Sequence, residues 1–156
     1  MDIKVFISHK QEDSVVAGVI CKKLNELGIE AYLDLLDAEI CTKGKELTEH
    51  IKKRLNDCSD ILVVMSNKTE ESWWVPFEIG MAAQKDFPVV SYLIDNIELP
   101  DYLQYWPRLR KLSDLEKYVL AKNKVLLQNI TKDKGYYNKF NKSETQQFYD
   151  QLRNML

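Results

Sequence analysis

The chain has 156 residues, 45% hydrophobic and 29% charged, the composition of a single soluble globular domain able to bury a full core. Its net charge of −2 and pI near 5.8 argue against a nucleic-acid or anionic-membrane binder driven by bulk charge. Cys21, Cys41 and Cys58 are far apart with no CxxC pair, which suggests reduced thiols, and two histidines, His9 and His50, exclude a His-rich metal site.

Met1 to Lys4 runs directly into a strand pattern, without the basic region, long apolar core and small-residue cleavage site of a signal peptide. No apolar run approaches the roughly 18 residues of a membrane span. The expectation is a cytoplasmic protein with no membrane partner. Lysines in the last third, such as Lys132, Lys134, Lys139 and Lys142, are interspersed with acids, so a solvated face is expected there and no nucleic-acid partner.

In chain order, Ile3 to Ser8 is a short apolar run ending in polar residues, the pattern of a buried strand. Val16, Val19, Ile20, Leu24 and Leu27 then recur at helical spacing, with Asp13 or Ser14 as cap and Gly28 as stop. Ile29 to Asp34 is a second strand, followed by a mixed loop to about residue 42. Leu47, Ile51 and Leu55 lie at i, i+4 and i+8 along a second helix. Asp60 to Ser66 is a third strand, nearly all apolar and so covered on both faces. A loop rich in Asn, Thr, Glu and Ser leads into a tryptophan-rich helix that continues to Ala83. Pro88 to Ile94 is a fourth strand. Leu112 to Val119 reads as a helix continuing toward Asn129, and Ser143 with Glu144 opens a last helix carrying Phe148, Leu152 and Met155.

Strands alternating with helices of this length imply βαβ units and a parallel sheet with helices on both faces. Ligands bind such sheets beyond the carboxyl ends of the strands. The residues at those ends are Ser8, His9 and Lys10, then Asp34, then Ser66 and Asn67, then the start of the tryptophan-rich helix. There is no GxGxxG after the first strand and no GxxxxGK[ST], so a Rossmann dehydrogenase and a P-loop NTPase are improbable.

The stretch from Ser72 to Gly80, SWWVPFEIG, places a carboxylate among three large aromatics. Trp74 and Glu78 are four residues apart and share a face if the first turn includes Trp74. Pro76 lacks an N–H and belongs in that first turn, with Ser72 as a possible cap. Two readings stay open from spacing alone. Glu78 either faces water beside a plugged helix entry, or sits in an aromatic-walled pocket positioned for chemistry. Ser8, His9 and Lys10 read either as a polar turn or as a hydroxyl-cation set that meets phosphate or ribose. Asp34 either caps its loop or fixes a ligand hydroxyl. The cysteines read as small core residues.

Together the ordered segments Val5 to Lys10 (VFISHK), Tyr32 to Asp34 (YLD), Asp60 to Ser66 (DILVVMS) and Ser72 to Glu78 (SWWVPFE) resemble the Toll/interleukin-1 receptor (TIR) domain. The likeness spans about Ile3 to Ile94, and Leu99 to Leu103 with Trp106 and Pro107 look like the tail of stand-alone bacterial TIR proteins. It implies a single TIR domain over 1–156, with a core at about 3–94 and a helical extension at about 100–156. The implied fold is a flavodoxin-like three-layer α/β sandwich around a central parallel sheet.

The resemblance also implies an activity. Many bacterial and plant members cleave the N-glycosidic bond of NAD, and some cyclise the ADP-ribose product into a signal used in antiphage defence. In those enzymes the glutamate of a W-x-x-x-E pattern is catalytic, which here falls on Trp74 and Glu78, with Trp74 as a wall of the site. By the same matching Ser8, His9, Lys10 and Asp34 meet the substrate. His9-Lys10 stands where the family more usually has an aromatic-basic pair, and the stretch from Asp34 to Gly44 is longer than in many members. NAD is implied as substrate, with no metal and no separate cofactor, and self-association through TIR–TIR contacts is expected. A non-catalytic TIR interaction module is the alternative, and a nucleoside deoxyribosyltransferase-like enzyme is a third reading. The chain as read offers no fused sensor, which favours an enzyme with a diffusible product.

Overall fold

In a computed structural model, residues 3–33, 44–69, 72, 74–132 and 143–156 are described. Their elements run β1 (Lys4–Ser8), α1 (Ser14–Glu26), β2 (Glu30–Leu33), α2 (Gly44–Asn56), β3 (Asp60–Met65), α3 (Trp74–Gln84), β4 (Val89–Leu93), α4 (Asp101–Gln104), β5 (Arg108–Leu109), α5 (Asp114–Lys132) and α6 (Glu144–Arg153). The five strands form one sheet in the order β2-β1-β3-β4-β5, every pair parallel. This is the flavodoxin-like order that the family resemblance implies, and the parallel pairing is the one expected from the alternation of strand and helix.

Side chains alternate across each strand, so each sends residues to both faces. Val5 and Ile7 of β1, Leu62 and Val64 of β3 and Val90 and Tyr92 of β4 pack on Ala17, Ile20 and Leu24 of α1, Tyr118 of α5 and Phe148 of α6. Phe6, Ile61, Val63 and Leu93 face the other way, toward Leu55 of α2, Val75 and Ile79 of α3 and Leu103 of α4. The result is three layers. β3 lies at the centre with all six residues buried, which explains its nearly unbroken apolar run.

Helix ends follow local chemistry. Gly28 takes φ +79 after α1, and the N–H of Ile29 reaches the Leu24 carbonyl at 2.9 Å. A side chain there would strain the left-handed turn that closes the helix. Ser143 caps α6 by accepting the Gln146 N–H at 3.2 Å.

The segment beyond residue 94 is built into the sandwich. β5 is a two-residue edge strand paired to β4, and α5 and α6 fill one face of the core. The Tyr149 hydroxyl of α6 accepts the N–H of Val89 at 2.8 Å, so the last helix also closes the sheet's hydrogen bonding at the start of β4. No helix among the described residues is long and apolar enough to cross a membrane.

Candidate active site at the carboxyl ends of the strands

β1 ends in Ser8, whose side chain is 1% exposed. α3 begins with Trp74, and the N–H of Val75 donates to the Ser72 hydroxyl at 3.2 Å, the cap that the spacing of Ser72 and Pro76 predicts. One turn further on, Glu78 is 2% exposed. The reading of Glu78 as a surface acid is therefore excluded. The Ser8 hydroxyl donates to Glu78 Oε2 in a buried hydrogen bond. Seventy residues separate the two in sequence, and the parallel pairing of β1 with β3 brings them together at the sheet's carboxyl edge.

A carboxylate this buried is stable only where hydrogen bonds replace its water. The Ser8 hydroxyl supplies one and fixes the orientation of Oε2. Trp74, half-buried, stacks edge-on against Phe77 with ring centroids 5.9 Å apart. Helical geometry puts Trp74 one turn from Glu78 on the same side of α3.

His9 and Lys10 follow Ser8 in the chain, both half-buried. His9 Nδ1 lies 3.4 Å from the Ile7 carbonyl oxygen, and Lys10 Nζ lies 3.3 Å from Glu12 Oε1. They continue the chain from the edge that Ser8 occupies. Asp34 and Cys41 lie outside the described residues.

Another set of polar groups at this edge escapes a reading of the sequence. Asp13 occupies the cap position of α1, yet its side chain makes no cap hydrogen bond. Its carboxylate accepts instead from the Ser66 hydroxyl at 2.7 Å, just past β3, and both residues are 6% exposed. The Ser66 N–H donates to Thr69 Oγ1 at 2.8 Å, and the N–H of Ser72 to the Thr69 carbonyl at 2.9 Å. These bonds link Asp13 to Ser66, Ser66 to Thr69 and Thr69 to Ser72, the residue that caps α3. An acid at a helix start signals a cap; nothing in the sequence points from Asp13 to a serine 53 residues away.

At the opposite edge of the sheet lies a buried polar cluster of a different kind. Asp60, at the start of β3, pairs with Lys122 of α5 and accepts from the Tyr118 hydroxyl at 2.9 Å and the Ser59 hydroxyl at 2.6 Å. Burial lowers the Lys122 ammonium from its ordinary range, against the pull of Asp60. Burial, with Asp60 beside it, holds the Tyr118 phenol well above its usual value. Cys21 and Cys58, the two cysteines among the described residues, match their expected role: burial pushes the Cys58 thiol up to about 11 and raises Cys21, so neither is an activated thiolate.

A parallel three-layer sheet with a buried carboxylate at its carboxyl edge defines a class, the doubly wound α/β domains that place ligands at strand ends. Within that class, the TIR domain family model matches residues 5–123. The chain belongs to the TIR domain family. It is 35% identical over 84 residues to the "Putative cyclic ADP-D-ribose synthase TIR2" of Cytobacillus dafuensis, a match covering 51% of this chain and 22% of that protein. The chain thus aligns with only about a fifth of its relative's length.

Solved structures share the fold. The TIR domain of the Toll-related receptor TRR-2 from Hydra magnipapillata superposes with a TM-score of 0.55 at 20% identity, covering 83% of this chain and 95% of that one. A 2-deoxyribosyltransferase of Bacillus psychrosaccharolyticus superposes with a TM-score of 0.61 at 13% identity, covering 74% and 91%. At these identities the likeness is one of fold.

Proposed function

We propose that this protein cleaves the bond between nicotinamide and ribose in NAD, as a glycohydrolase or an ADP-ribosyl cyclase, with Glu78 as the catalytic carboxylate. The observation that carries this reading is the buried Ser8–Glu78 hydrogen bond at the carboxyl ends of the strands. The relative named as a cyclic ADP-D-ribose synthase supports the same chemistry.

In the proposed reaction the C1′–N bond breaks and its electron pair passes to the nicotinamide nitrogen, neutralising the pyridinium. The ribose becomes oxocarbenium-like, and positive charge develops at C1′. A carboxylate fixed beside it stabilises that charge more than it stabilises the ground state, which lowers the barrier. Glu78 also accepts from ribose hydroxyls, while the Ser8 hydroxyl keeps its hold on Oε2. Water then attacks C1′ and loses a proton, giving ADP-ribose, or a nucleophilic nitrogen of the same molecule attacks and closes a ring. Ser8 orients Glu78, Trp74 walls the site, and His9, Lys10 and Asp34 contact substrate. The setting proposed is cytoplasmic antiphage signalling, with self-association through TIR–TIR contacts.

The test is to incubate purified protein, at high concentration and with a crowding agent, with NAD and measure nicotinamide release. The wild type is expected to release nicotinamide and Glu78→Gln is not, with the fold retained by circular dichroism. Equal rates from the two proteins would remove Glu78 from the chemistry. Mass spectrometry of the products separates hydrolysis from cyclisation. A deoxynucleoside offered in place of NAD tests the deoxyribosyltransferase-like alternative.

A further inference from the structure

A cleft of about 570 Å³ lies where the end of β5, the start of α5 and the end of α6 meet. Its wall carries five cations, Arg108 and Arg110 flanking Leu109, then Lys111, Lys117 of α5 and Arg153 of α6, against the single side-chain carboxylate of Asp114. That carboxylate is already engaged. It accepts the backbone N–H groups of Arg110 and Lys111 at 3.0 and 3.1 Å and the Lys117 ammonium at 2.8 Å. Burial would raise Asp114, but Lys117 and these two N–H groups outweigh it and hold the carboxyl below its usual value. The Arg153 guanidinium donates to the Tyr105 carbonyl and lies over the Tyr105 and Tyr149 rings.

Arg108, Arg110 and Lys111 are exposed, and among the described residues their side chains have no acid partner. The chain as a whole is net negative, so this gathering of positive charge in one concavity is local, with Asp114 the acidic side chain set against it. In the sheet order, β5 lies three strands from β1, which places the cleft apart from Ser8 and Glu78.

We infer that this cleft binds a small, multiply phosphorylated molecule. Its volume lies in the range of small-molecule sites, roughly 300–1,000 Å³. Cations converge from three separate elements around that volume, the arrangement that a compact polyanion satisfies. Arginine forks grip phosphate oxygens in pairs, and Lys111 adds a mobile point charge. The half-buried Trp106 gives the cleft an aromatic wall, suited to an attached base or ring. An extended acidic peptide would call for cations spread along a groove.

The experiment is calorimetric titration of the full chain with tripolyphosphate at low ionic strength, with tetraglutamate as the peptide probe. Tripolyphosphate is expected to bind at one site per chain, and more tightly than tetraglutamate. Arg108→Gln/Arg110→Gln is expected to weaken it at least about tenfold, while Arg108→Lys/Arg110→Lys, which keeps the charge and loses the fork, costs about threefold. Lys22→Gln, an exposed lysine on α1, leaves affinity unchanged. Lys111→Gln gives an independent reading of the same cleft, and melting curves confirm that each variant is folded. Three results would overturn the inference. They are no binding of tripolyphosphate, equal affinity in wild type and the Arg108→Gln/Arg110→Gln variant, and tetraglutamate binding at least as tightly.

Discussion

Two buried carboxylates sit at opposite edges of the same sheet, Glu78 at the carboxyl ends of the strands and Asp60 at the amino ends. Both are 2% exposed and both accept from a serine hydroxyl. Asp60, however, has a lysine ammonium and a tyrosine hydroxyl on one oxygen and Ser59 on the other. That is the chemistry of a bolt. Its charge is neutralised within the core and ties α5 to β3. Glu78 is held by a hydroxyl at the edge where parallel sheets present ligands, on a helix whose capping residue is linked to the Asp13–Ser66 network. Burial alone does not distinguish the two acids. Their place in the topology does.

The comparison breaks first if the bolt is removed. Lys122→Met leaves Asp60 buried beside hydroxyls alone and is expected to cost about 3–5 kcal/mol in urea unfolding, with NAD turnover per folded molecule unchanged. A loss of turnover with stability intact would merge the two edges into one function.

Glu78→Gln is expected to do the reverse, lowering nicotinamide release by about 10²–10³-fold, the scale of removing a preorganised transition-state partner, with little change in unfolding midpoint. Asp114→Ala should cost about 2 kcal/mol, because two backbone N–H groups and Lys117 lose a charged acceptor. The pH dependence gives a second reading of that site. The Asp114 pKa is depressed in the folded state, so its stabilisation is complete above the ordinary aspartate pKa and is lost as pH falls through the folded value. Unfolding curves of wild type and Asp114→Ala should therefore differ at neutral pH and converge in strong acid. The smallest effect is expected from Ser8→Ala, about a tenfold loss of turnover, since it removes the hydroxyl that orients Glu78 and leaves the carboxylate in place. A Ser8→Ala enzyme as fast as wild type would reduce the Ser8–Glu78 bond to packing.

Residues whose meaning is local were legible before the structure. Trp74, Pro76 and Glu78 announce a helix start by spacing and missing N–H, and Ser8 stands out because it ends an apolar strand. Together they mark the carboxyl edge once strands and helices alternate. The family pattern then selects Glu78, and the structure places Ser8 against it.

What stayed hidden depends on long-range pairing. Asp13 carries the local signature of a helix cap, and its partner Ser66 comes from another βα unit. Lys122 looks like any lysine on an amphipathic helix until Asp60 is found beneath it. β5, two residues long, is too short to show an alternating pattern, so the strand that completes the sheet falls inside the stretch expected to be a helical extension. The charges around it lie on three elements and converge only in the fold.

The tie between Tyr149 and Val89 bears on the order in which the chain matures. β1 must wait for β3, more than fifty residues later, before its second edge is paired. The amide at the head of β4 must in turn wait for α6, sixty residues on. Contacts this distant in sequence slow folding, since each closes a long loop before it contributes stability. On the ribosome, β1, β3 and α3 emerge well before α6 can dock, so the site is assembled late. A chain cut short before α6 would carry Ser8 and Glu78 without the core residues Phe148, Tyr149 and Leu152 that hold their sheet together.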